Sequence, residues 1–242
     1  YLPKIIKIII GNASTIMIKY HYYLRLIMLD ITYGSYNQSR ARVLSQVSEW
    51  KKNNKDFRVI DVGGVAGNSW TRDIADMVVD INAVDSERSL KLDICKPKEW
   101  DRLLDMVSLS GPYDYAICTH TLEDIYNPFT ALEYLPRIAH AGIITMPSIR
   151  TELSRIESRQ WVGYIHHRWL FDLVDQEMLI IPKINILECL AGDRFFQDRE
   201  TEEICYEWRG NIPYRCFMNN YLGPNVQTVI DEYKRLIDNI SC

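Results

Sequence analysis

Several patterns that would assign a function class at once are missing from this sequence. Its 6 cysteines form no CxxC pair, and its 5 histidines show no zinc-finger spacing. No internal repeat or low-complexity linker is present. These absences exclude a zinc-finger module and a repeat architecture, and they favour mostly buried free thiols in a reduced intracellular compartment. We therefore expect a cytoplasmic protein.

A strongly basic face is missing as well. The formal net charge is -4, and Lys and Arg are scattered along the chain. A protein that grips a long polyanion usually carries clustered basic residues, so DNA is not an expected partner, although a local basic patch stays open. With 47% hydrophobic and 25% charged residues, the composition is that of a folded protein and excludes disorder as a main theme.

The chain also lacks an apolar run long enough to cross a membrane. Residues 1–30 are rich in Ile and Leu, but their longest charge-free run, Ile8–Ile18, is too short to span a bilayer. We expect residues 1–50 to be an N-terminal helical segment that packs on the core. The sequence begins with Tyr1, which favours a piece of a longer polypeptide.

Short apolar runs do alternate with helical patterns over the middle of the chain. The predicted strands are 57–62, 77–81, 89–93, 114–118 and 142–146, and the predicted helices are 39–51, 97–107, a segment from about 122 to 127, and 130–140. This alternation predicts βαβ units and a mainly parallel sheet. The last third predicts strands at 164–171, 178–181 and 214–218 and a closing helix at 226–240. We interpret this third as the remaining strands of that sheet plus a substrate-facing elaboration.

Glycines and acids follow the first three predicted strands. The run Val59-Ile-Asp-Val-Gly-Gly-Val-Ala-Gly67 ends the first strand in a turn where the backbone can approach a ligand closely. Asp80 ends the second strand, where a carboxylate can accept hydrogen bonds from both ribose hydroxyls. Asp93 ends the third. A nicotinamide-binding G-x-G-x-x-G would need further glycines where Val65 and Asn68 stand, so a dehydrogenase is disfavoured.

This turn resembles the hhDxGxxxG turn of class I S-adenosylmethionine-dependent methyltransferases, although Val65 replaces a glycine often seen there. Cys118-Thr-His-Thr-Leu-Glu-Asp124 is similar to the S-H-x-L-E-H segment of many small-molecule methyltransferases. The resemblance covers residues 57–147.

This resemblance to class I methyltransferases implies an α/β, Rossmann-like, mostly parallel seven-stranded sheet with helices on both faces, over a domain at 51–242. It also implies S-adenosyl-L-methionine as cofactor and S-adenosyl-L-homocysteine as product. The implied cofactor-binding residues are Asp61, Gly63, Gly64, Gly67, Asp80, Ile81, Asp93, Ile94, Thr119 and His120.

Methyl transfer to a hydroxyl needs a base beside the methyl group. His120, at the end of the fourth strand, is one candidate, and His166 or His167 is the other. Adjacent histidines on a strand point to opposite faces, so at most one of that pair should face the cleft. Glu123, Asp124 and Glu152 are candidates to orient the base or to bind sugar hydroxyls. The same three carboxylates offer oxygen ligands for a metal ion, but no spacing demands one and none is expected.

The segments from Thr119 to Asp124, Tyr164 to Trp169 and Asn219 to Asn225 look like methyltransferase domains of large DNA viruses of algae and amoebae. That resemblance implies a cytoplasmic location in a host cell, fusion to glycosyltransferase domains, and O-methylation of a glycan sugar such as rhamnose. Aromatic residues are frequent in the last third, and they would suit either a sugar-binding surface or an ordinary core. They are Trp161, Tyr164, Trp169, Trp208, Tyr214 and Tyr221.

A small-molecule or RNA methyltransferase and a non-catalytic accessory domain stay open as alternatives. Tyr33, Ser35 or Arg42 is a candidate contact for the cofactor carboxylate.

Overall fold

A computed structural model of the chain describes residues 31–64, 69–191, 201–217 and 225–240. The strands are β1 (Ile31–Ser35), β2 (Val59–Val62), β3 (Met77–Asp80), β4 (Ser89–Lys91), β5 (Tyr113–Thr119), β6 (Ala139–Pro147), β7 (Trp169–Val174), β8 (Glu177–Pro182), β9 (Glu202–Arg209) and β10 (Tyr214–Cys216). The helices are α1 (Tyr36–Asn53), α2 (Trp100–Ser110), α3 (Pro128–Ile138), α4 (Ile149–Glu152), α5 (Ile186–Ala191) and α6 (Val226–Ile240). A short 3-10 turn, Pro97–Glu99, leads into α2.

Seven strands form the main sheet in the order β1-β9-β6-β5-β2-β3-β4. The five strands β2 to β6 are parallel to one another, and β9 runs antiparallel to both β6 and β1. Helices α2 and α3 connect β4 to β5 and β5 to β6, as expected for βαβ units. In the described residues no helix connects β2 to β3 or β3 to β4. The predicted α/β, Rossmann-like, mostly parallel seven-stranded sheet is confirmed.

Helices cover both faces of this sheet, as predicted. On one face, Val43 and Val47 of α1 pack in a cluster that includes Val59 of β2. On the other face, Leu103 of α2 and Leu135 of α3 share a cluster with Ile60, the next residue of β2. Successive side chains of a strand point to opposite faces, and strands covered on both faces read as continuous apolar runs. This is why the central strands were predictable from the sequence.

A second sheet of three strands, in the order β10-β8-β7, lies outside the main one. Phe171 and Ile180 on one of its faces join the core of the main sheet, whereas Leu170 and Leu179 on the other face pack with Tyr233 of α6. The prediction that these three strands complete the main sheet was therefore wrong. The two remaining positions of that sheet are filled by β9 and β1.

Two sequence predictions about secondary-structure elements also need correction. No strand covers residues 164–168, because the chain turns there, with the amide of His167 donating to the carbonyl of Tyr164 at 3.2 Å, and β7 begins only at Trp169. No helix forms at 122–127 either, and α3 begins at Pro128, a residue favoured at the first helical position. Residues 50 and 51, at the predicted division of the chain, lie within α1, and Val43 and Val47 of that helix pack on the sheet. The division into an N-terminal segment and a domain at 51–242 stays a prediction.

Within the described ranges, none of the helices combines the length and the apolar character needed to cross a membrane.

Candidate functional site

The carboxyl ends of the parallel strands β2 to β5 meet at one edge of the main sheet, the edge at which open α/β sheets bind ligands. A cleft of about 200 Å³ opens there, and we name it the strand-end cleft. Its lining includes residues that follow each of these strands. They are Gly63, Asp80, Ile81, Leu92, Asp93, Ile94, Cys95, Thr121, Asp124, Ile125, Tyr126 and Arg168.

Two glycines make the turn after β2 possible. Gly63 has a φ of +85°, which favours glycine, and its amide donates to the carbonyl of Val79 at 2.7 Å. A Cβ on Gly63 would lie 2.4 Å from the side chain of Thr121, and a Cβ on Gly64 would lie 2.0 Å from the carboxylate of Asp61. The turn therefore has no room for side chains at either position. Gly67, also predicted to contact the cofactor, lies outside the described residues.

Asp61 lies beneath this turn and is almost completely buried. Its Oδ2 accepts hydrogen bonds from the hydroxyls of Thr71 and Ser69, the latter at 3.2 Å. Burial raises the pKa of Asp61 to about 6, although both hydroxyls act in the opposite direction. The carboxylate is thus fixed in position and shifts between its two charge states close to neutral pH.

The other acids predicted to contact the cofactor lie around the same cleft. Asp80 is the last residue of β3, and its Oδ1 accepts a hydrogen bond from the amide of Asn82 at 2.7 Å. Asp93 follows β4 by two residues and pairs with Lys96 at 2.9 Å. Burial opposes ionisation of Asp93, but the hydrogen bonds from Lys96 and from the amide of Cys95 outweigh it and lower its pKa.

The apolar neighbours of these acids join them in the cleft. Ile81 lines it with 52% of its surface exposed, and Ile94 lines it from a buried position. Thr119 ends β5, where its carbonyl accepts a hydrogen bond from Thr121 at 3.0 Å. Thr121, and not Thr119, lines the strand-end cleft.

A second and larger cleft of about 390 Å³ lies beside the first, and we name it the histidine cleft. Its volume lies within the range of about 300–1,000 Å³ that is usual for ligand sites. Asp124 lines both clefts and is the point at which they meet. The lining of the histidine cleft is Tyr36, His120, Glu123, Asp124, Pro147, Thr151, Tyr164, His166, His167, Thr201, Glu202 and Glu203.

His120 faces this second cleft rather than the strand-end cleft, although it was predicted to contact the cofactor. Its backbone has a φ of +48°, and its Nε2 lies 2.5 Å from Oε2 of Glu203. Its Nδ1 lies 3.2 Å from Oε1 of the buried Glu123. Burial alone would lower the pKa of His120, but the two glutamates outweigh it and raise that pKa to about 9. At neutral pH this histidine is a cation between two carboxylates.

The histidine pair lines the same cleft as His120. Because residues 164–168 form a turn, His166 and His167 both line the cleft, and the prediction that at most one would do so was wrong. Nε2 of His166 lies 3.7 Å and Nε2 of His167 lies 3.6 Å from Oδ1 of Asp124. Nδ1 of His167 lies 2.5 Å from Oε1 of Glu152, a buried carboxylate whose other oxygen accepts from Lys183 at 2.9 Å.

The structure adds residues at the start of α1 that no sequence motif marked. Tyr36 lines the histidine cleft, and the guanidinium of Arg40 lies 3.5 Å from the centre of the Tyr36 ring. Burial lowers the pKa of Arg40, and the nearby carboxylates of Glu203 and Asp61 oppose that shift. The expected Arg42 instead pairs with Glu207 at 3.1 Å.

Most of the aromatic residues considered for sugar binding have other positions. Trp169 and Trp208 are buried in the core, and Tyr214 packs on Phe129 with the ring centres 5.9 Å apart. Tyr164 does line the histidine cleft. Tyr221, with the neighbouring Asn219 and Asn220, lies outside the described residues.

No protein-family model matches the sequence, and no curated protein is similar to it. Among solved structures, the N-terminal domain of EvdMO1 with SAH bound is 11% identical, with a TM-score of 0.33 over 68% of this chain and 79% of that one. The same domain in the presence of SAH and D-fucose is 10% identical, with a TM-score of 0.31 over 73% of this chain and 84% of that one. MycE methyltransferase in complex with Mg, SAH and mycinamycin VI is 10% identical, with a TM-score of 0.29, and this chain covers 53% of its length. Likeness at this level carries no argument about function.

Proposed function

We propose that the protein is an S-adenosyl-L-methionine-dependent O-methyltransferase that acts on a hydroxyl group of a sugar. One observation carries the proposal. Five residues expected to hold the cofactor, on the turns after three successive strands, line one cleft: Gly63, Asp80, Ile81, Asp93 and Ile94. That cleft meets a second one, rich in carboxylates and imidazoles, at Asp124. A donor and an acceptor bound in the two clefts would therefore be neighbours.

The residues around the strand-end cleft fit this cofactor in charge and shape. Asp80 would accept hydrogen bonds from the ribose hydroxyls, and the bare turn at Gly63 and Gly64 admits a ligand close to the backbone. Asp61 would attract the ammonium group of the methionine moiety, and Arg40 would pair with its carboxylate. When bound, the cofactor supplies a methyl group on a positively charged sulfur, which becomes a neutral thioether after transfer.

The histidine cleft would receive the acceptor hydroxyl and remove its proton. His120 is a poor base at neutral pH, because Glu123 and Glu203 hold it in the protonated state. We therefore assign proton removal to Asp124 and the pair His166 and His167, of which Glu152 orients the second. A base must lie within hydrogen-bond reach of the proton it takes, and Asp124 borders both clefts.

The chemistry of this cleft favours a neutral, polyhydroxylated acceptor. Carboxylates bind sugar hydroxyls well, and the ring of Tyr164 offers an apolar face for a pyranose. The acidic lining opposes the phosphates of RNA, which disfavours the RNA alternative. Within this proposal, a deoxysugar such as rhamnose in a glycan, built by neighbouring glycosyltransferase domains, is the acceptor that the viral resemblance suggests.

Calorimetric titration with S-adenosyl-L-methionine and S-adenosyl-L-homocysteine tests the proposal. We expect both to bind the wild-type chain and neither to bind Asp80→Ala detectably. Asp101→Ala, which removes an exposed carboxylate from the outer side of α2, is the matched control and should bind like the wild type. If the wild type binds neither ligand, the enzyme proposal fails, and the accessory-domain alternative replaces it.

A further inference from the structure

Three potential ligand atoms converge where the two clefts meet. One carboxylate oxygen of Asp124 and one imidazole nitrogen each of His166 and His167 all lie within 4.8 Å of one another. The two nitrogen-to-oxygen distances, 3.7 and 3.6 Å, are too long for hydrogen bonds. Ligands of one ion, each about 2.0–2.2 Å from it, lie roughly 3.0–3.5 Å apart, so small rotations of exposed side chains would complete such a site.

A buried second layer of contacts holds His167 in the orientation of a metal ligand. Nδ1 of His167 lies 2.5 Å from Oε1 of Glu152, and Lys183 donates to the other oxygen of that carboxylate at 2.9 Å. Lys183 is itself held by the carbonyl of Tyr164 at 2.8 Å. The Nδ1 proton is therefore directed at Glu152, which leaves the lone pair of Nε2 pointing toward Asp124. Metal-binding histidines characteristically donate their other nitrogen to a carboxylate in this way.

This arrangement leaves two hydrogen-bond acceptors facing each other. The lone pair of His167 Nε2 and the carboxylate of Asp124 are both acceptors, and they lie 3.6 Å apart. In the same cleft, His120 contacts one oxygen each of Glu123 and Glu203, while Oε2 of Glu123 and Oε1 of Glu203 are buried without a hydrogen-bond partner. Buried charges are normally paired or coordinate a metal. A cation between Asp124 and the histidines would bind both facing acceptors. It would also reduce the repulsion between the carboxylates of Asp124, Glu123 and Glu203.

We propose that Asp124, His166 and His167 bind a divalent transition-metal ion such as Zn²⁺, Co²⁺ or Mn²⁺. Two imidazoles with one carboxylate suit these ions, whereas Mg²⁺ and Ca²⁺ prefer sites made of oxygen ligands. The remaining coordination positions would face the histidine cleft. The role of the ion rests on the function proposed above. With the ion bound, Asp124, His166 and His167 would act as its ligands and no longer as bases. The ion would bind the acceptor hydroxyl and lower its pKa, and the hydroxyl proton would pass to water.

The test is metal binding by the purified full chain after treatment with a chelator. We expect Zn²⁺ to bind with one ion per chain in calorimetry and Co²⁺ to give the visible absorption of an imidazole-ligated ion. Mg²⁺ should not displace either. His166→Ala and Asp124→Asn should each weaken Zn²⁺ binding by at least tenfold, and Glu152→Gln by about 10–100-fold through loss of the orienting contact.

His140→Ala removes an exposed histidine at the start of β6 and is the matched control. The proposal is overturned if the wild type binds no Zn²⁺, if His140→Ala weakens binding as much as His166→Ala does, or if Mg²⁺ competes at similar concentrations. These titrations contain no cofactor, so they are independent of the function proposed above. A chain that binds Zn²⁺ but not S-adenosyl-L-homocysteine would keep the metal site and lose the methyltransferase.

Discussion

Two side chains of the site titrate far from their usual ranges, Asp61 with a pKa of about 6 and His120 with a pKa of about 9. In Asp61 burial dominates, so the neutral form is favoured relative to an exposed carboxyl. In His120 the two glutamates dominate, so the charged form is favoured. Both pKa values are thus raised, but the neutral form is favoured in Asp61 and the charged form in His120. Each residue has a pH dependence of its own, because each one changes charge in a different pH range.

Cofactor affinity should follow the charge of Asp61. If its carboxylate attracts the ammonium group of S-adenosyl-L-homocysteine, binding strengthens as the pH rises through about 6, where Asp61 ionises. Since the proton must be lost before the contact forms, the dissociation constant at pH 5 should be about tenfold higher than at pH 7.5. Calorimetry at several pH values measures this change. 5′-Methylthioadenosine, which lacks the amino-acid moiety, is the control ligand, and an equal pH dependence for both ligands would contradict the role of Asp61.

Thermal stability should fall as His120 loses its proton. A histidine whose pKa is raised in the folded state contributes stability that is complete below its unfolded pKa of about 6.5 and disappears as the pH rises through the folded value. The folded value here is about 9, so the melting temperature of the wild type should decrease between pH 7 and pH 9.5.

The variant His120→Gln should melt at a lower temperature than the wild type at pH 7, because Glu123 and Glu203 lose the cation between them. It should also show a flatter decrease toward pH 9.5. His140→Gln, at an exposed position, is the control and should keep the wild-type slope. If His120→Gln retains the full slope, another group is responsible for the alkaline destabilisation.

At the scale of elements, the strands that the sequence predicted best are those buried on both faces. β2 and β5 read as short apolar runs because helices cover both sides of them. β9 was missed, since Glu202, Glu203 and Glu207 interrupt its apolar pattern. In the fold two of these glutamates have charged partners, because Glu203 contacts His120 and Glu207 pairs with Arg42. Such partners are distant in sequence, so no local pattern could mark them.

The contact between β6 and its neighbours depends on a glycine that has no unusual backbone angle. A Cβ on Gly142 would lie 2.4 Å from the carbonyl oxygen of Ala116 in β5 and 2.7 Å from the ring of Trp208 in β9. Both neighbours lie in the packed core, so neither can move freely. We expect Gly142→Ala to lower the free energy of unfolding by about 1–3 kcal/mol, the usual effect of overpacking. Denaturant unfolding measures this change.

Gly34→Ala in β1 is the matched control for that experiment. A Cβ there would meet only Gln38 and Ser39, at 3.5 and 3.8 Å, which are ordinary contact distances. The substitution should therefore change the free energy of unfolding by less than about 0.5 kcal/mol. If the two variants are equally stable, β6 is not packed as tightly between β5 and β9 as this structure indicates.

For the whole molecule, the two clefts differ in how far they follow from the sequence. The strand-end cleft comes from one continuous βαβ region, in which parallel strands bring residues at regular intervals to the same edge. The histidine cleft combines α1, the end of β5, the turn at 164–168 and β9. Some of its residues, such as His120, Asp124 and His167, were named as single candidates, but Glu203 was not. No sequence pattern joins Glu203 with His120 or Lys183 with Glu152. Only the tertiary fold brings them together.

This difference in origin predicts that the two clefts can be disabled separately. In the wild type, S-adenosyl-L-homocysteine at about 100 times its dissociation constant should stabilise the fold by about 2.7 kcal/mol, which raises the melting temperature of a chain of this size by roughly 5–10 °C.

The variant Glu152→Gln should lower the melting temperature of the free protein, because Lys183 and His167 lose a buried partner. It should nevertheless keep the full rise on ligand addition, since Glu152 does not line the strand-end cleft. Asp80→Ala should show the reverse, with an almost unchanged melting temperature of the free protein and no rise with ligand. Loss of the ligand-induced rise in Glu152→Gln would mean that the two clefts form one cooperative site.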